Sequence, residues 1–481
     1  MKYFGTDGIR GLYGESLTED VAYRAGRAVA AHFKSGKVVL GRDTRTSGES
    51  LAHAAARGLA DGGLDVLDAG IAPTPAVSYL TDSLQAAAGV MISASHNPPE
   101  YNGIKVFGAR GRKLTEEQET AVEAFMNGAG GFKYASAATV KDSADGFRQT
   151  ASAATVKDSA DGFQQTVNAG AIKDSAGGFQ QTFNTAAVKG GAGAIRRDGA
   201  LLERYVAHIV GQFDFSGVKG AEIALDCGFG AAGGAAPEVF RRLGFKPKAL
   251  HCEPRGREIN RDCGALHPEN IGRQMGGAVF GFAFDGDADR LSVNCKGGEI
   301  DGDSVLYNLS RAMALKDNVV VGTVLNNLAL ETTLARDGKK LIRTDVGDKY
   351  ISALMFERGY NLGGEQSGHF IIAPDAQTGD GILAALWFMR SLYTGGGFRE
   401  PERLALYAQG SISELAGKEV LDDPGFRALI DKHSRLFGGN GRILVRMSGT
   451  EPKARVMAEG ADEARVREAL EAAREYIRQW N

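Results

Sequence analysis

Three aspartates alternate with small residues in Asp285-Gly286-Asp287-Ala288-Asp289, directly after a run of apolar residues. An extended or gently looped backbone turns side chains at positions i, i+2 and i+4 toward one side. Three hard carboxylate oxygens suit Mg²⁺, and grouping three like charges without a cation is costly. The loop lacks the glycine and terminal glutamate spacing of a calcium-binding EF-hand. We therefore predict one Mg²⁺ site per subunit, held by Asp285, Asp287 and Asp289.

A serine-rich turn, Ile92-Ser93-Ala94-Ser95-His96-Asn97-Pro98, follows a predicted strand over 86–92. At the carboxyl end of such a strand, the Ser95 hydroxyl would open into the cleft where α/β proteins bind ligands. Ser95 could attack or carry a phosphoryl group, with His96 orienting it and Pro98 fixing the turn. Taken alone, the motif is explained equally well as an ordinary turn stabilised by serine and asparagine.

Glu365, Ser367 and His369 alternate in a glycine-rich segment. An extended segment would point all three side chains the same way. A carboxylate, a hydroxyl and an imidazole on one side suit sugar hydroxyls or an amine. A lone histidine is more often structural, but its register with Glu365 and Ser367 favours a sugar-binding loop.

Hydroxyls, backbone N–H groups and two guanidiniums are concentrated near the carboxyl end of the chain. This combination forms an anion-binding nest, which predicts a clamp for the non-reacting phosphate of a substrate. A hairpin turn with surface arginines is the alternative. The residues concerned are Arg446, Ser448, Gly449, Thr450 and Arg455.

Two further cations extend this pattern. Arg10 lies in a turn-forming segment near the amino terminus, and Lys105, ten residues after Ser95, could return to the same cleft. No dinucleotide-binding GxGxxG, P-loop or zinc-protease HExxH motif is visible.

Strands and helices must position these groups, and they alternate along most of the chain. This alternation predicts three mixed α/β domains and a smaller C-terminal α+β domain. Predicted helices cover 18–34, 47–59, 236–243, 327–336 and 462–479; predicted strands cover 38–40, 64–67, 86–92, 222–226, 278–284, 319–321, 442–446 and 454–458.

Composition is consistent with a cytoplasmic globular protein. The chain has 481 residues, which at roughly 100–200 residues per domain predicts three or four domains. A net charge of -3 gives no global attraction to nucleic acid or to an anionic membrane. The amino terminus lacks an apolar signal-peptide core, and no uncharged apolar run reaches about 18 residues. The four cysteines lack CxxC spacing, which favours free thiols over zinc.

A 16-residue repeat interrupts the pattern within the segment 128–195. It is small and polar apart from one phenylalanine per unit, so we interpret it as a surface insertion without chemistry. A partner-binding element that uses Phe147, Phe163 and Phe179 is the alternative. The copies begin at Lys141, Lys157, Lys173 and Lys189.

The motifs together resemble the α-D-phosphohexomutase superfamily, and within it the bacterial phosphoglucosamine mutases. The matching stretches occur in family order over nearly the whole chain outside 128–195: KYFGTDGIRG, GVMISASHNP, YNGIK, DGDADR, VGDKY, NLGGEQSGH, TGDG and RMSGTEP. GTDGIRG and the glutamine of GEQSGH are closer to the glucosamine enzymes than to phosphomannomutase/phosphoglucomutase, where the latter loop tends to read GEMSGH. That second group is the alternative function.

The resemblance implies four domains around a central cleft. It also implies interconversion of glucosamine 6-phosphate and glucosamine 1-phosphate through phosphoserine and a 1,6-bisphosphate, which supplies UDP-N-acetylglucosamine synthesis. The phosphosugar and its bisphosphate would be the partners, with a homodimer as one expected assembly. The implied segments are 1–127 with the phosphoserine loop, 128–195 as an insertion, 196–296 with the metal loop, 297–398 with the sugar-binding loop and 399–481 with the phosphate-binding loop.

The resemblance also implies residue roles. Ser95 would be the phosphoserine, and its phosphate would add a ligand to the metal held by the three aspartates. The transferring group would be surrounded by Arg10, Lys105, Arg290 and His369, which would assist proton transfer. The sugar would contact Glu365, Ser367 and His369, and the distal phosphate would contact Arg446, Ser448, Gly449, Thr450 and Arg455.

Four departures accompany the resemblance, one of which is a shortened region before the C-terminal domain. The family has a short link where this chain has the repeat, its DCANGAA-like segment reads DCGFGAA here, and its RPSGTEP reads RMSGTEP. None of them removes a chemical group named above. A phosphatase that uses the same serine and metal, and a binding protein recruited through the repeat, are the rival functional classes.

Overall fold

A computed structural model describes residues 3–5, 7–128, 193–394, 397–448 and 452–480. The predicted repeat therefore lies outside the described residues, as do Gly449 and Thr450 of the predicted phosphate clamp. Among the described helices, none combines the length and apolar character needed to cross a membrane.

The first sheet has seven strands and mixes parallel with antiparallel pairing. Its elements are β1 (Phe4–Gly5), β2 (Gly8–Leu12), α1 (Glu19–Phe33), β3 (Lys37–Arg42), α2 (Gly48–Asp61), β4 (Asp65–Ile71), α3 (Thr74–Ser83), β5 (Ala88–Ile92), β6 (Tyr101–Phe107), α4 (Glu116–Gly128) and β7 (Ile195–Arg197). The strand order is β1-β2-β6-β5-β3-β4-β7, with β3 parallel to β4 and β5. Val38 and Leu40 lie in one apolar cluster and Val39 in another, so both faces of this sheet are covered.

Helices α1 and α2 pack closely because each carries a glycine at the contact. A Cβ on Gly26 would lie 2.3 Å from the Ala55 carbonyl oxygen, and a Cβ on Gly58 would lie 2.2 Å from that of Tyr23. Helix α1 begins where the sequence predicts, because the Thr18 side chain accepts a hydrogen bond from the Val21 amide and caps the helix. This helical pair covers the sheet that carries Ser95.

The second sheet has five strands, and its central strand leads into the aspartate loop. The elements are α5 (Ala200–Val210), β8 (Glu222–Asp226), α6 (Ala236–Arg242), β9 (Lys246–Leu250), α7 (Pro268–Gln274), β10 (Phe280–Phe284), β11 (Leu291–Cys295) and β12 (Gly298–Ile300). The order is β12-β11-β10-β8-β9, with β10 parallel to β8 and antiparallel to β11. Phe280, Phe282 and Phe284 are fully buried in the largest apolar cluster, which anchors the strand before Asp285.

The third sheet has four strands in the order β14-β13-β15-β16. Its elements, followed by a short hairpin, are α8 (Gly302–Ala312), β13 (Val319–Thr323), α9 (Leu328–Arg336), β14 (Lys340–Thr344), α10 (Asp348–Arg358), β15 (Leu362–Gly364), β16 (Phe370–Ile372), α11 (Gly381–Leu392), β17 (Tyr393–Thr394) and β18 (Gly397–Phe398). The glycine-rich segment predicted to bind sugar connects β15 with β16, which pair antiparallel.

The carboxyl-terminal unit is a three-stranded antiparallel sheet with two helices and its own apolar cluster. Its elements are β19 (Ala408–Leu415), α12 (Pro424–Leu436), β20 (Gly441–Met447), β21 (Lys453–Gly460) and α13 (Glu463–Trp480). The predicted phosphate clamp lies where β20 and β21 meet, and Arg446 pairs with Arg455 across these strands.

The predicted fold class is confirmed, and most predicted elements differ from the observed ones by one to three residues at an end. Two short strands, β7 and β12, belong to the sheet before the predicted domain boundary rather than to the sheet after it. Strand β7 pairs with β4 of the first sheet although a boundary was predicted at residue 196, and β12 pairs with β11 of the second sheet although a boundary was predicted at 297. Both are short edge strands held by backbone pairing, which leaves little trace in side-chain pattern.

Candidate functional site

Ser95 lies in the turn after β5 with a φ of 52°, in the left-handed region that non-glycine residues seldom adopt. Its amide donates to Ser93 Oγ at 2.8 Å. Its carbonyl accepts from Arg45 and from Asn260, in each case at 2.8 Å. Arg45 is fully buried and pairs with Asp43 at 2.9 Å. Contacts from several sides therefore hold a strained turn that fixes the direction of the Ser95 hydroxyl.

The Ser95 hydroxyl faces the aspartate loop. Ser95 Oγ donates to Asp285 Oδ2 at 2.6 Å, and His96 Nδ1 lies 3.3 Å from the same Oγ. Burial, with the nearby Arg290 and Arg10 cations, lowers the pKa of His96 to about 3. The imidazole is therefore neutral, and a neutral imidazole has one ring nitrogen able to accept a proton or a hydrogen bond.

The three aspartates converge as predicted, with a left-handed residue, Ala288, bending the loop. One oxygen from each of Asp285, Asp287 and Asp289 lies within 4.8 Å of the other two. All three are buried, and Asp287 Oδ1 and Asp289 Oδ1 lack a hydrogen-bond partner among the described residues. Burial and the charges of Asp289 and Asp287 raise the pKa of Asp285 well above its ordinary value. Buried, unpartnered carboxylate oxygens that converge on one point fit a hard divalent cation.

A second cluster, formed by Asp226, His251 and Cys263, also has the spacing of metal ligands. Here the carboxylate is already satisfied, because Asp226 accepts from the Gly228 amide at 2.9 Å and from the Gly264 amide at 3.0 Å. It also lies 2.9 Å from His251 Nδ1. Burial, with Asp226 nearby, raises the pKa of the Cys263 thiol to about 12. This cluster stabilises two turns of the second sheet without a cation, unlike the aspartate loop.

Lys105 returns to the same site, as the sequence suggested. Its Nζ lies 2.7 Å from Asp289 Oδ2, 2.9 Å from Asp287 Oδ2 and 3.2 Å from Asp7 Oδ2. Burial lowers the pKa of Lys105, but the three carboxylates outweigh it and raise that pKa well above its ordinary value. The ammonium therefore remains charged and links the first sheet to the metal loop. Arg10 pairs with Asp7 at 2.5 Å beside it.

Three further charged residues belong to this site, and the sequence interpretation did not assign them roles. Lys113 Nζ pairs with Asp7 Oδ1 at 2.5 Å and also pairs with Asp348. His369 Nε2 lies 3.1 Å from Asp348 Oδ2. Burial disfavours the charged imidazole, but Asp348 and Asp289 raise the pKa of His369 to about 10. Asp7 and Asp348 lie inside the GTDGIRG and VGDKY motifs, which could have identified them, whereas Lys113 lies in no quoted motif.

The prediction that an extended segment points Glu365, Ser367 and His369 the same way is wrong. The segment turns back on itself, because the Gly368 amide donates to the Glu365 carbonyl at 3.0 Å and Gly368 has a φ of 89°. His369 is buried, whereas Ser367 is exposed and donates to Glu365 Oε2 at 3.3 Å. A glycine in the left-handed region permits this turn, so an extended segment was the wrong expectation.

The two clamp arginines lie beside each other on paired strands, and the Asp345 charge only partly offsets theirs. No ion pair joins Arg446 or Arg455 to a carboxylate within the described ranges, and Arg455 Nε and Ser448 Oγ are buried there without a hydrogen-bond partner. Burial and the neighbouring Arg455 charge lower the pKa of Arg446. Paired guanidiniums with an unsatisfied hydroxyl fit an anion with several acceptor oxygens, such as a phosphate group.

One cleft of about 650 Å³ extends from His96 and Asp289 to the clamp arginines. It receives side chains from all four sheets or from the loops beside them, which agrees with the predicted central cleft. Ser367 is not among its lining residues. Four predicted residues are buried beneath the cleft and do not line it: Ser95, Lys105, Asp285 and Asp287. The predicted residues that line it are Arg10, His96, Asp289, Arg290, Glu365, His369, Arg446, Ser448 and Arg455.

Comparison with known proteins extends over the whole chain. Four family models of phosphoglucomutase/phosphomannomutase match: alpha/beta/alpha domain I over 1–130, domain II over 203–298, domain III over 301–407 and the C-terminal domain over 411–475. The phosphoglucosamine mutase of Thermotoga neapolitana is 36% identical over 490 residues, covering 98% of both chains. That of Cereibacter sphaeroides is 38% identical over 494 residues, covering 98% of this chain and 97% of its own.

Solved structures share the fold. A putative phosphomannomutase from Thermus thermophilus has a TM-score of 0.70 at 23% identity, covering 99% of this chain and 98% of its own. The N-acetylphosphoglucosamine mutase of Aspergillus fumigatus, solved with GlcNAc-6P and magnesium, has a TM-score of 0.63 at 17% identity, covering 99% and 96%. The predicted superfamily and the isomerase class, an intramolecular phosphotransferase, are confirmed. The chain belongs to the phosphoglucomutase/phosphomannomutase family.

Proposed function

We propose that this protein interconverts glucosamine 6-phosphate and glucosamine 1-phosphate through a phosphorylated Ser95 and a 1,6-bisphosphate. The observation that carries this proposal is the Ser95 hydroxyl, held in a strained turn 2.6 Å from Asp285 and beside a cleft with an anion clamp. The phosphoglucosamine mutases at 36% and 38% identity support glucosamine as the sugar.

The first half-reaction moves the phosphoryl group from Ser95 to the free hydroxyl of the sugar phosphate. A bond forms between phosphorus and the sugar oxygen, the bond from phosphorus to Ser95 Oγ breaks, and in net one proton passes from the sugar hydroxyl to Ser95 Oγ. Phosphoryl transfer depends on positioning and charge stabilisation. Lys105, Arg290 and His369 supply positive charge beside the aspartates that the Ser95 hydroxyl faces.

The protonation states in the site define what these groups do. Lys105 and His369 are charged, so they offset part of the negative charge that a phosphoryl group brings to the site. His96 is neutral and lies closest to Ser95 Oγ among the imidazoles described here, so it is suited to orient that oxygen. The Lys113–Asp348 pair positions His369, since Asp348 contacts both Lys113 and His369.

The donor set of Asp285, Asp287 and Asp289 would hold one Mg²⁺ per subunit. When bound, this cation supplies charge neutralisation for the phosphoryl oxygens and the departing serine oxygen. Thr74 Oγ1 donates to Asp287 Oδ2 at 2.5 Å, and the Arg290 amide donates to Asp285 Oδ1 at 3.1 Å. These contacts hold the carboxylates in place for the ion.

The second half-reaction needs the bisphosphate to present its other phosphate to Ser95. Arg446, Ser448 and Arg455 would hold whichever phosphate is not reacting, and Gly449 and Thr450 are proposed to join them. A clamp on a separate carboxyl-terminal unit can serve both orientations of the sugar. Glu365, whose carboxylate accepts from the Gly347 amide at 3.2 Å, lines the cleft and is proposed to contact the sugar.

A coupled assay of the purified protein tests the proposal. Glucosamine 6-phosphate, glucose 1-phosphate and mannose 1-phosphate are compared at equal concentrations with Mg²⁺ and catalytic sugar 1,6-bisphosphate. We expect the highest kcat/KM with the glucosamine compound and no stoichiometric inorganic phosphate. Preference for mannose or glucose phosphate would instead assign phosphomannomutase/phosphoglucomutase activity, and stoichiometric phosphate release would assign a phosphatase.

A further inference from the structure

Two of the four cysteines are in contact, although they are 25 residues apart in sequence. Cys227 and Cys252 follow the neighbouring parallel strands β8 and β9, and the Cys227 amide donates to the Leu250 carbonyl at 3.0 Å. Their Sγ atoms lie 3.0 Å apart. Strand pairing therefore holds two thiols so close that a small shift would allow a covalent bond between them.

The two thiols differ in access. Cys227 is fully buried, whereas Cys252 is partly exposed beside the half-buried His251. The hydrogen bond with Cys252, together with burial, raises the pKa of Cys227 well above its ordinary value. Cys252 is therefore the sulfur that a solution reagent reaches first, and Cys227 is the neighbour placed to react with it second.

The loop after Cys227 is in backbone contact with the aspartate loop. The Gly230 amide donates to the Cys227 carbonyl at 2.7 Å, and the Ala231 amide donates to the Gly286 carbonyl at 2.8 Å. A Cβ on Gly230 would lie 2.4 Å from that same Gly286 oxygen, so the two loops touch through bare backbone. Gly286 lies between Asp285 and Asp287, so a backbone contact joins the loop after Cys227 to two of the proposed metal ligands.

We propose that Cys227 and Cys252 form an oxidation site at which an intramolecular disulfide closes and reversibly slows the reaction. The oxidant is a small disulfide of the glutathione class. The Cys252 thiolate attacks one of its sulfurs and releases one thiol, forming a mixed disulfide. The mixed disulfide removes the Cys252 hydrogen bond that raises the pKa of Cys227. Cys227 then loses its proton, attacks the Cys252 sulfur and releases the second thiol. Two protons and two electrons leave the protein, and the oxidant is reduced to two thiols.

The remaining cysteines provide a matched control. Cys295 Sγ lies 3.4 Å from an Arg403 nitrogen and 3.4 Å from the Lys296 carbonyl oxygen, so it contacts no other thiol in the described part of the chain. Cys295→Ser removes one thiol without touching the pair. Cys252→Ser removes the accessible partner, and Cys227→Ser removes the buried one. If the buried substitution impairs folding, the exposed one still tests the proposal.

The experiment incubates full-length wild type and each variant in glutathione buffers of increasing oxidised fraction. Intact mass, peptide mapping and turnover are then measured before and after dithiothreitol. We expect wild type and Cys295→Ser to lose the mass of two hydrogens, to yield a Cys227–Cys252 peptide and to slow severalfold, with full recovery on reduction. Cys252→Ser should keep its turnover in every buffer.

Four results would overturn the proposal. They are a persistent glutathione adduct without ring closure, a disulfide mapped to Cys263 or Cys295, closure with unchanged turnover, and loss of turnover in Cys252→Ser equal to that in wild type. None of them depends on which sugar phosphate the protein accepts, because turnover is measured with whichever substrate the assay above identifies.

Discussion

The two ends of the cleft treat charge in opposite ways. Around Ser95, carboxylates and cations are buried together and pair with one another, as Lys105 does with Asp287 and Asp289. At the clamp, Arg446 and Arg455 lie side by side without a partner carboxylate among the described residues. The groups at the first end therefore pair with one another within the protein, whereas the two clamp arginines form no ion pair with a carboxylate in the described part of the chain.

This difference indicates that the Ser95 end of the cleft acts in the chemical step and that the clamp acts in substrate binding. A preorganised network stabilises charge that develops in the transition state, so its loss should lower kcat. A clamp that contacts the non-reacting phosphate binds ground state and transition state alike, so its loss should raise KM. Substitutions at the two ends can therefore be distinguished by which kinetic constant changes.

The largest expected effect is that of Ser95→Ala. Removing the oxygen that carries the phosphoryl group should lower turnover by at least about ten-thousand-fold, since no other described hydroxyl donates to Asp285. Intact mass should show a labile phosphate of about 80 Da on wild type and none on the variant. An unaltered thermal unfolding curve is the control for folding. Undiminished turnover would refute the covalent mechanism.

Asp287→Asn should lower turnover about 100-fold and weaken the dependence on Mg²⁺. The substitution removes a charge from the converging carboxylates and from the pair with Lys105 at 2.9 Å. Cys263→Ser is the matched control, because it removes a donor atom from the second cluster with ligand spacing. The Mg²⁺ concentration needed for half-maximal turnover should rise for Asp287→Asn only. A rise for Cys263→Ser alone would place the metal at the cluster of Asp226, His251 and Cys263 instead.

Arg446→Gln should raise KM about 10- to 100-fold and change kcat much less, because one charge-assisted hydrogen bond to phosphate is lost. Arg467→Gln has the same change of charge in the same unit, on exposed α13, and should leave both constants near wild type. The KM of wild type should also rise with added inorganic phosphate as a competitor. A fall in kcat with constant KM would place Arg446 in the chemical step instead.

Sequence periodicity predicted the elements that carry a strong apolar pattern and a local stop signal. Strand β8 was predicted at its observed ends, and Thr18 marked the start of α1, because these signals lie within a few residues of each other. The grouping of Ser95 with the aspartates was also predictable, since each follows the carboxyl end of a buried strand. Lys113 was not, because its partners Asp7 and Asp348 are more than 100 residues away in sequence.

The Glu365 segment shows a second limit. Alternating polar residues suggested an extended strand, but a tight turn around Gly368 places Ser367 in solvent and His369 in the cleft. The same three residue types are compatible with both conformations, and the antiparallel pairing of β15 with β16 decides between them. Such long-range pairing energy is absent from the local sequence.

The last test compares the buried aspartates near Ser95 with a buried carboxylate outside the cleft. Asp303, at the start of α8, is buried like the triad but forms no ion pair within the described residues. It accepts from Asn326 Nδ2 at 2.7 Å and from the Asn327 amide at 2.9 Å. Burial, only partly offset by these hydrogen bonds, raises its pKa to about 6. Without a cation, burial therefore favours the protonated form.

This raised pKa has a defined sign in stability. Between the unfolded value of 3.8 and the folded value of about 6, the native state binds more protons than the unfolded state. The contribution of Asp303 to the free energy of unfolding is therefore full below pH 4 and falls by about 3 kcal/mol as the pH rises through 6. Asp303→Asn removes that dependence, so the difference between wild type and variant should change by about 2 kcal/mol from pH 4 to 7. Urea unfolding at several pH values measures it, and a constant difference would show that the pKa of Asp303 is the same in the folded and unfolded states.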